Sequence, residues 1–308
     1  MEEPPFHTGE REAQRRAGFL VSRAPIRDRL PEQHRTFFAA QPFLLIAGMA
    51  ADGSLAETVL TGEPGFISSP EPQALRIEAL PDSRDPFCAL MAEAAAVGML
   101  GIDFLTRRRN RVNGRIISVS CTGFTVAVGQ SFGNCAKYIQ ARGITAKPAG
   151  NTAPRHDIEF FAGLDGEARD FIRAADTFFV ASSSGPGAVA NGGIDISHRG
   201  GLPGFIGVEG NRLRIPDFAG NRYFNTLGNF LRHPEAALLF IDFASGDLLH
   251  LTGSAAVDWA PGARPSTAER SWTVDVRLAS RRRGALPYRW SLPEWAPSTL
   301  ASGTATAA

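Results

Sequence analysis

The chain repeats itself. Pro64-Gly65-Phe66-Ile67 returns as Pro203-Gly204-Phe205-Ile206, and Ile102-Asp103-Phe104 returns as Ile241-Asp242-Phe243, each at a spacing of 139 (203 − 64 and 241 − 102). Leu75-Arg76-Ile77 answers Leu213-Arg214-Ile215 at 138 (213 − 75), and Gly114 answers Gly253 at 139 (253 − 114). Upstream, Phe43-Leu44-Leu45-Ile46-Ala47 is matched by Thr177-Phe178-Phe179-Val180-Ala181 at 134 (177 − 43). The difference falls in a longer glycine-rich loop over 182–193, and loops absorb insertions of that kind. Such self-similarity divides the chain into two homologous halves, residues 30–145 and 158–282. Between them runs a Pro/Gly-containing linker, 146–157, while 1–29 form an N-terminal helical extension and 283–308 a C-terminal tail. The chain reads as a covalent dimer.

Each half carries the same elements. In the second, Asp165 is placed to cap a helix reaching Ala175, followed by an apolar strand from Thr177 to Ser182 and short strands around 194–198, 204–208 and 212–216. A second helix is expected from Asn221 to His233, where Tyr223, Leu227, Phe230 and Leu231 fall on one face and Arg222, Asn225 and Asn229 on the other. Ala236 to Phe243 and Leu248 to Val257, with Gly246-Asp247 between them, predict a hairpin. Several short strands and few helices indicate a mainly β, α+β architecture of small barrels.

Charge and cysteine content narrow the chemistry. Lys+Arg of 32 against Asp+Glu of 31 leaves a net charge of +1, which is not the footprint of a nucleic-acid binder. Any anion site must be local. Cys88, Cys121 and Cys135 make neither a disulfide framework nor a zinc pattern, so a reducing, cytoplasmic setting is expected. Neither a signal peptide nor an apolar membrane span is visible. Phosphate-loop, dinucleotide, zincin and serine-hydrolase signatures are all missing from the sequence.

What remains is a set of anion-binding residue types in the second half. Ser197-His198-Arg199-Gly200-Gly201 ends a short strand, and Asp217-Phe218-Ala219-Gly220-Asn221-Arg222 opens the polar-faced helix. A helix N-terminus offers free N–H groups, Arg199 and Arg222 add charged donors, and Ser197 adds a hydroxyl, so together they suit a phosphate. The alternative is a pair of solvated surface arginines beside a plain glycine turn. At a spacing of 139, Ser197, Arg199, Arg222 and Asn225 face Thr58, Leu60, Ser83 and Pro86, so the first half lacks this set. Conversely, the polar run from Gln130 to Tyr138 faces Glu269 to Arg277, which keeps little of it. Halves that lose function in opposite places predict a single composite site between them. Residues 107–115, with five arginines in nine positions, form a further element. Arg107, Arg109 and Arg111 would share one strand face and Arg108 the other, either lining the site or blunting a charged edge strand. Cys135 reads as a packed small residue.

With these residues in view, the second half resembles the pyridoxamine 5′-phosphate oxidase-like, FMN-binding split-barrel family. The resemblance lies in Asp195-Ile196-Ser197-His198-Arg199-Gly200-Gly201 and in the run from Ile215 to Asn229. The first half looks like the partner barrel of a tandem subfamily, in Phe132-Gly133-Asn134-Cys135-Ala136-Lys137-Tyr138-Ile139-Gln140 and in Arg107 to Arg115. Phe6-His7-Thr8-Gly9-Glu10 is similar to that subfamily's opening. The resemblance implies two tandem split β-barrels forming an intramolecular pseudo-dimer, with one FMN between them. Ser197, Arg199, Arg222 and Asn225 would bind its phosphate end, Gln130, Ser131, Asn134 and Lys137 would approach from the other barrel, and His198, Asn221, Arg109 and Arg111 complete the expected cofactor-binding set, the arginine strip with Lys137 also suiting an anionic substrate. It further implies an oxidoreductase acting on a small molecule, anionic or a reduced nicotinamide. Any electron-transfer partner is a separate protein, and the assembly is a monomer or homodimer. Heme or a deazaflavin in the same barrel, a non-catalytic flavin carrier and a purely structural tandem barrel are the other readings. Trp272 and Arg277-Leu278-Ala279-Ser280 only loosely echo the family's B6-binding segment, so vitamin B6 is not the expected substrate.

Overall fold

The computed structural model describes residues 5–146, 158–187, 189–260 and 267–303, so the linker expected over 146–157 lies outside the described residues apart from Ala146. The protein is mostly antiparallel β with a few short helices. Helices α1 (Thr8–Arg16) and α2 (Glu32–Ala39) precede a sheet of β1 (Phe43–Met49), β2 (Leu55–Thr61), β3 (Ile67–Ser68), β4 (Ala74–Ile77), β5 (Ala96–Asp103), β6 (Arg108–Val119) and β7 (Phe124–Gly133). After β8 (Ile144–Ala146), β9 (Glu159–Ala162) and α3 (Gly166–Ala174) comes a second sheet. Its strands are β10 (Thr177–Ser183), β11 (Ile194–Gly200), β12 (Gly207–Glu209), β13 (Arg212–Asp217), β14 (Glu235–Ile241), β15 (Leu248–Asp258) and β16 (Arg270–Arg282), with α4 (Asn225–Arg232) before β14. Strand β17 (Arg289–Trp290) and helix α5 (Pro297–Ser302) follow.

The first sheet runs β2-β1-β5-β6-β7-β4-β3 and the second β11-β10-β14-β15-β16-β13-β12, which is the same order twice, with β9 added alongside β16. Register preserves the repeat. Ile46 faces Thr58 as Val180 faces Ser197, and Leu100 faces Arg111 as Leu239 faces His250. A β-bulge follows Asn113 in one half and Thr252 in the other. One expected pairing shifts, however. Ser131 faces Val112 and Ala279 faces Leu251, a spacing of 148 (279 − 131), so Gln130 to Tyr138 answers residues 278–286 rather than Glu269 to Arg277. The nine extra residues (148 − 139) lengthen the connection between β15 and β16, which moves every later position out of step.

Three apolar cores explain the sequence pattern. Leu44 and Ile46 point into the first sheet's own core, Phe178 and Val180 into the second's, and Phe43, Leu45, Phe179 and Ala181 meet in a third core between the sheets. Strands buried on both faces read as unbroken apolar runs, which is why β1 and β10 show no alternation. The sheets approach closely at Gly98, where a Cβ would lie 2.4 Å from the carbonyl oxygen of Ile194.

Several local expectations need correction. The helix expected from Asn221 starts at Asn225, because Arg222 and Phe224 adopt left-handed φ of 68° and 61° and hold residues 218–224 as a loop. The arginine strand β6 is no edge, being flanked by β5 and β7. In the described part of 283–308, Leu286, Tyr288 and Trp290 enter the middle core and β17 pairs with β8. Helix α3, by contrast, starts where expected, with Asp165 accepting from Ala168 N–H at 2.7 Å.

Candidate functional site

The two sheets meet over a polar cradle of about 80 Å³ lined from both halves. Strand β11 brings Ser197, His198 and Arg199, and the loop into α4 brings Asn221, Arg222 and Asn225. From the first half come Arg109 and Arg111 on β6 and Asn134 beyond β7. Alternation works as the sequence implied: Arg109 and Arg111 reach across to the second half, whereas Arg108 lies over the Phe37 ring at 5.3 Å. Arg107 departs from that face, since it sits in the turn with φ 55° and donates to Ile139 O and Glu294. Tyr138 clamps the loop, its ring stacked on Phe218 at 5.2 Å and its hydroxyl donating to Ala219 O at 3.3 Å.

Arg111 is the most committed of these side chains. It donates to Ile196 O at 3.1 Å, Asp195 Oδ1 at 2.9 Å, Asn225 Oδ1 at 3.0 Å and Ser197 Oγ. Arg109 donates to Cys135 O at 2.8 Å and His198 O at 3.3 Å and has no carboxylate among its hydrogen-bond partners. Arg222 pairs with Glu269 and lies over the Phe19 ring at 4.1 Å. Arg199 stands 3.8 Å from Asp217, which Arg270 approaches at 3.2 Å.

The lining therefore holds five arginines (109, 111, 199, 222 and 270) against two carboxylates, Asp217 and Glu269. Crowded, desolvated cations are strained toward neutrality. Burial lowers the Arg109 guanidinium to about 10, with Arg199 and Arg111 adding repulsion. Burial lowers Arg199 as well, against the pull of Asp217. His198 is held well below its ordinary value by burial and by Arg109, Arg199 and Arg142, so it is neutral and both ring nitrogens lack a partner. Arg199 Nε and Asn134 Nδ2 are also buried without a hydrogen-bond acceptor. Helix α4 starts at the cradle with no side-chain cap, and its first residues Asn225, Thr226 and Leu227 line it. Positive charge in excess, unsatisfied donors and an open helix start are what a phosphate group requires.

Helix α1 of the N-terminal extension supports the cradle from behind. His7 caps α1 and Glu10 completes the capping box. Glu10 also accepts from Asn225 Nδ2, and the His7 ring bonds Asn229 Oδ1 at 2.8 Å. Asn229 donates to Asp195 Oδ2 at 2.9 Å, tying the extension to the residue that holds Arg111. Burial first, then the charge of Asp195, raises the Glu10 carboxyl to about 8. The His7-Thr8-Gly9-Glu10 run was a capping signal within reach of sequence reading. Arg270 had none, its place being set by the lengthened connection before β16.

Three candidates lie elsewhere. Gln130 accepts from Asn113 Nδ2 at 3.1 Å and lines a neighbouring cavity of about 390 Å³ with Asn113 and Asn191. Ser131 is buried against His34, Oγ to Nδ1 2.8 Å, on the side of β7 away from the cradle. Lys137 is exposed and lines neither cavity. Among the described residues no cluster of His, Cys, Asp or Glu could hold a metal ion, and no helix is long and apolar enough to cross a membrane.

No protein-family model matches this sequence, and no curated protein matches it. Solved structures with local likeness include a Lactobacillus delbrueckii protein proposed to be a pyridoxamine 5′-phosphate oxidase, at 13% identity over 34% of this chain and 95% of the other, TM-score 0.28. HupZ of Group A Streptococcus matches at 14% identity over 37% and 91%, TM-score 0.28. The Bacillus subtilis inhibitor of motility MotI/DgrA matches at 9% identity over 77% and 88%, TM-score 0.25. With identities and scores this low, the site has to be read from its own residues.

Proposed function

We propose that the chain is two tandem split β-barrels forming an intramolecular pseudo-dimer, that it binds one FMN between them, and that it acts as a flavin-dependent oxidoreductase. The observation that carries this reading is the convergence of buried arginine charge, the unpartnered Arg199 Nε and the open start of α4 on one phosphate-sized space. A cavity of about 80 Å³ suits a phosphate group rather than a whole nucleotide. Arg199, Ser197 and the first N–H groups of α4 would hold that phosphate, and Arg222 would turn to it from Glu269. Asp195 Oδ1 accepts from both Arg111 and Asn113, so one carboxylate oxygen joins the cradle to the larger cavity beside Gln130, where a ring could be received.

Bound FMN would supply hydride or electron transfer, and the protein would supply orientation and polar contacts. Neutral His198 adds no charge to the site, while Arg109 and Arg111 fix the first half against β11. An anionic small molecule or a reduced nicotinamide suits the remaining positive charge.

The test compares FMN with riboflavin, which lacks the phosphate, by quenching of flavin fluorescence. FMN should bind at least ~100-fold more tightly, about 2.7 kcal/mol, and Arg199→Ala should cut the difference at least tenfold. Equal affinity for the two would defeat the reading. Oxidation of reduced nicotinamides by the FMN-loaded protein then separates an enzyme from a flavin carrier, and the absorption spectrum of the purified protein separates FMN from heme or a deazaflavin.

A further inference from the structure

The repeat places a counterpart of the cradle's support in the other half, and it has become a different kind of site. Asp195, Asn229, Asn113 and Arg111 interlock by hydrogen bonds behind the cradle. At a spacing of 139 their counterparts are Ala56, Leu90, Thr252 and His250. All four line a cavity of about 330 Å³. Where the polar network is missing there is space, and the walls are mainly apolar, with Phe160, Leu251 and Leu278 among them. Pro86 and Ala89 on its margin are exposed, which gives a way in. That volume lies within the range of small-molecule pockets.

Two residues lining it carry buried polar atoms without a hydrogen-bond partner. Glu57 is 3% exposed, and neither carboxyl oxygen has a hydrogen-bond partner. His250 points Nδ1 at the main-chain oxygen of Glu57, 3.1 Å away, so Nδ1 carries the proton and Nε2 is left as an unpartnered acceptor. Among the described residues no cation lines the cavity; the nearby Arg282 is already paired with Asp85 at 2.7 Å. An unsatisfied carboxyl in an apolar chamber is costly, and burial alone pushes it well above its ordinary range. Every orphan here accepts a hydrogen bond when Glu57 is ionised, so the missing partner is a cationic donor on an apolar body.

We propose that this cavity is a second, separate ligand site that binds a small molecule with an apolar body and a protonated primary amine, with Glu57 as counter-ion and His250 Nε2 as a further acceptor. It is independent of FMN binding. Burial raises the Glu57 carboxyl and a bound ammonium group would lower it, so binding should be accompanied by proton release.

The probe is 2-phenylethylamine, titrated by calorimetry into the full chain in two buffers of different ionisation enthalpy, with 2-phenylethanol as the uncharged control. One amine should bind per chain with net proton release. Glu57→Gln should abolish the proton release and weaken the amine at least tenfold while leaving the alcohol unchanged. Ala56→Leu, which fills the cavity from the margin of the sheet, should weaken both probes. FMN titration of both variants should match the wild type, so the fate of the flavin site is read separately. Absence of amine binding, or amine binding indifferent to both substitutions or without proton release, would overturn the proposal.

Discussion

Arg111 of the first half and Asp195 of the second meet at 2.9 Å with both side chains almost wholly buried. The pair is a rivet between sheets, since Asp195 also accepts from Asn113 and Asn229. Removing one member of a buried pair strands the other charge, at a cost of about 3–5 kcal/mol. Asp195→Ala should therefore lower unfolding stability by that order in urea titration. Arg111→Lys should rescue little, because an ammonium cannot reproduce a fork that serves four acceptors. A loss below about 1 kcal/mol in Asp195→Ala would show that the interface relaxes around it.

The two phosphate-type arginines should not be equivalent. Arg222 is engaged by Glu269, whereas Arg199 has a free Nε and only a distant carboxylate. A charged hydrogen bond contributes about 1.5–3 kcal/mol, roughly 10- to 150-fold. Arg199→Ala should weaken FMN by that range and Arg222→Ala by less. Glu269→Gln, which releases Arg222, should tighten FMN. Fluorescence titration of the three variants checks the order, and an Arg222→Ala loss exceeding that of Arg199→Ala would reverse the assignment.

The fold was legible where its signal is repeated. Matches such as Pro64 with Pro203 and Ile102 with Ile241 fixed the equivalence of the sheets, and the register pairs Ile46/Thr58 and Val180/Ser197 keep the same offsets. Nine of the twelve candidate residues line the cradle, because Ser197 to Arg199 and Asn221 to Asn225 sit in continuous local motifs. The misses have local causes. Ser131 lies one residue beyond Gln130, and on a strand one residue reverses the face. Lys137 lies past the end of β7, where alternation no longer orients a side chain. Glu10 and Arg270 come from segments whose approach depends on tertiary packing that no periodicity encodes.

Helix α1 reaches α4 only because both present glycine at the crossing. A Cβ on Gly9 would lie 2.3 Å from Gly228 O, and one on Gly228 would lie 2.5 Å from the Glu10 Cα. Backbone atoms cannot yield as a flexible side chain can, so Gly228→Ala should destabilise by about 1–3 kcal/mol and displace Glu10 from Asn225. The expected result is a lower melting temperature together with weaker FMN binding. Unchanged values for both would place the N-terminal helix outside the site's support.

The pH dependence of stability tests the buried acids. Below about 6.5 the buried histidines His7, His34, His198 and His250, all lowered first by burial, take up protons more readily in the unfolded chain, so stability should rise with pH there. From about pH 7.5 upward they are neutral in both states and the acids decide the slope. Glu10 ionises near 4.5 when unfolded and near 8 when folded, so between those values the folded chain binds the extra proton and stability falls as pH rises. One proton corresponds to about 1.4 kcal/mol per pH unit. Glu57, raised by burial alone, acts with the same sign. Urea unfolding from about pH 7.5 to 8.5 should thus show declining stability, and Glu10→Gln should flatten the decline by up to one proton's worth. A wild-type profile that rises through this window would mean that Glu10 is ionised in the folded protein, held by Arg111 and Asn225 rather than neutralised by its surroundings.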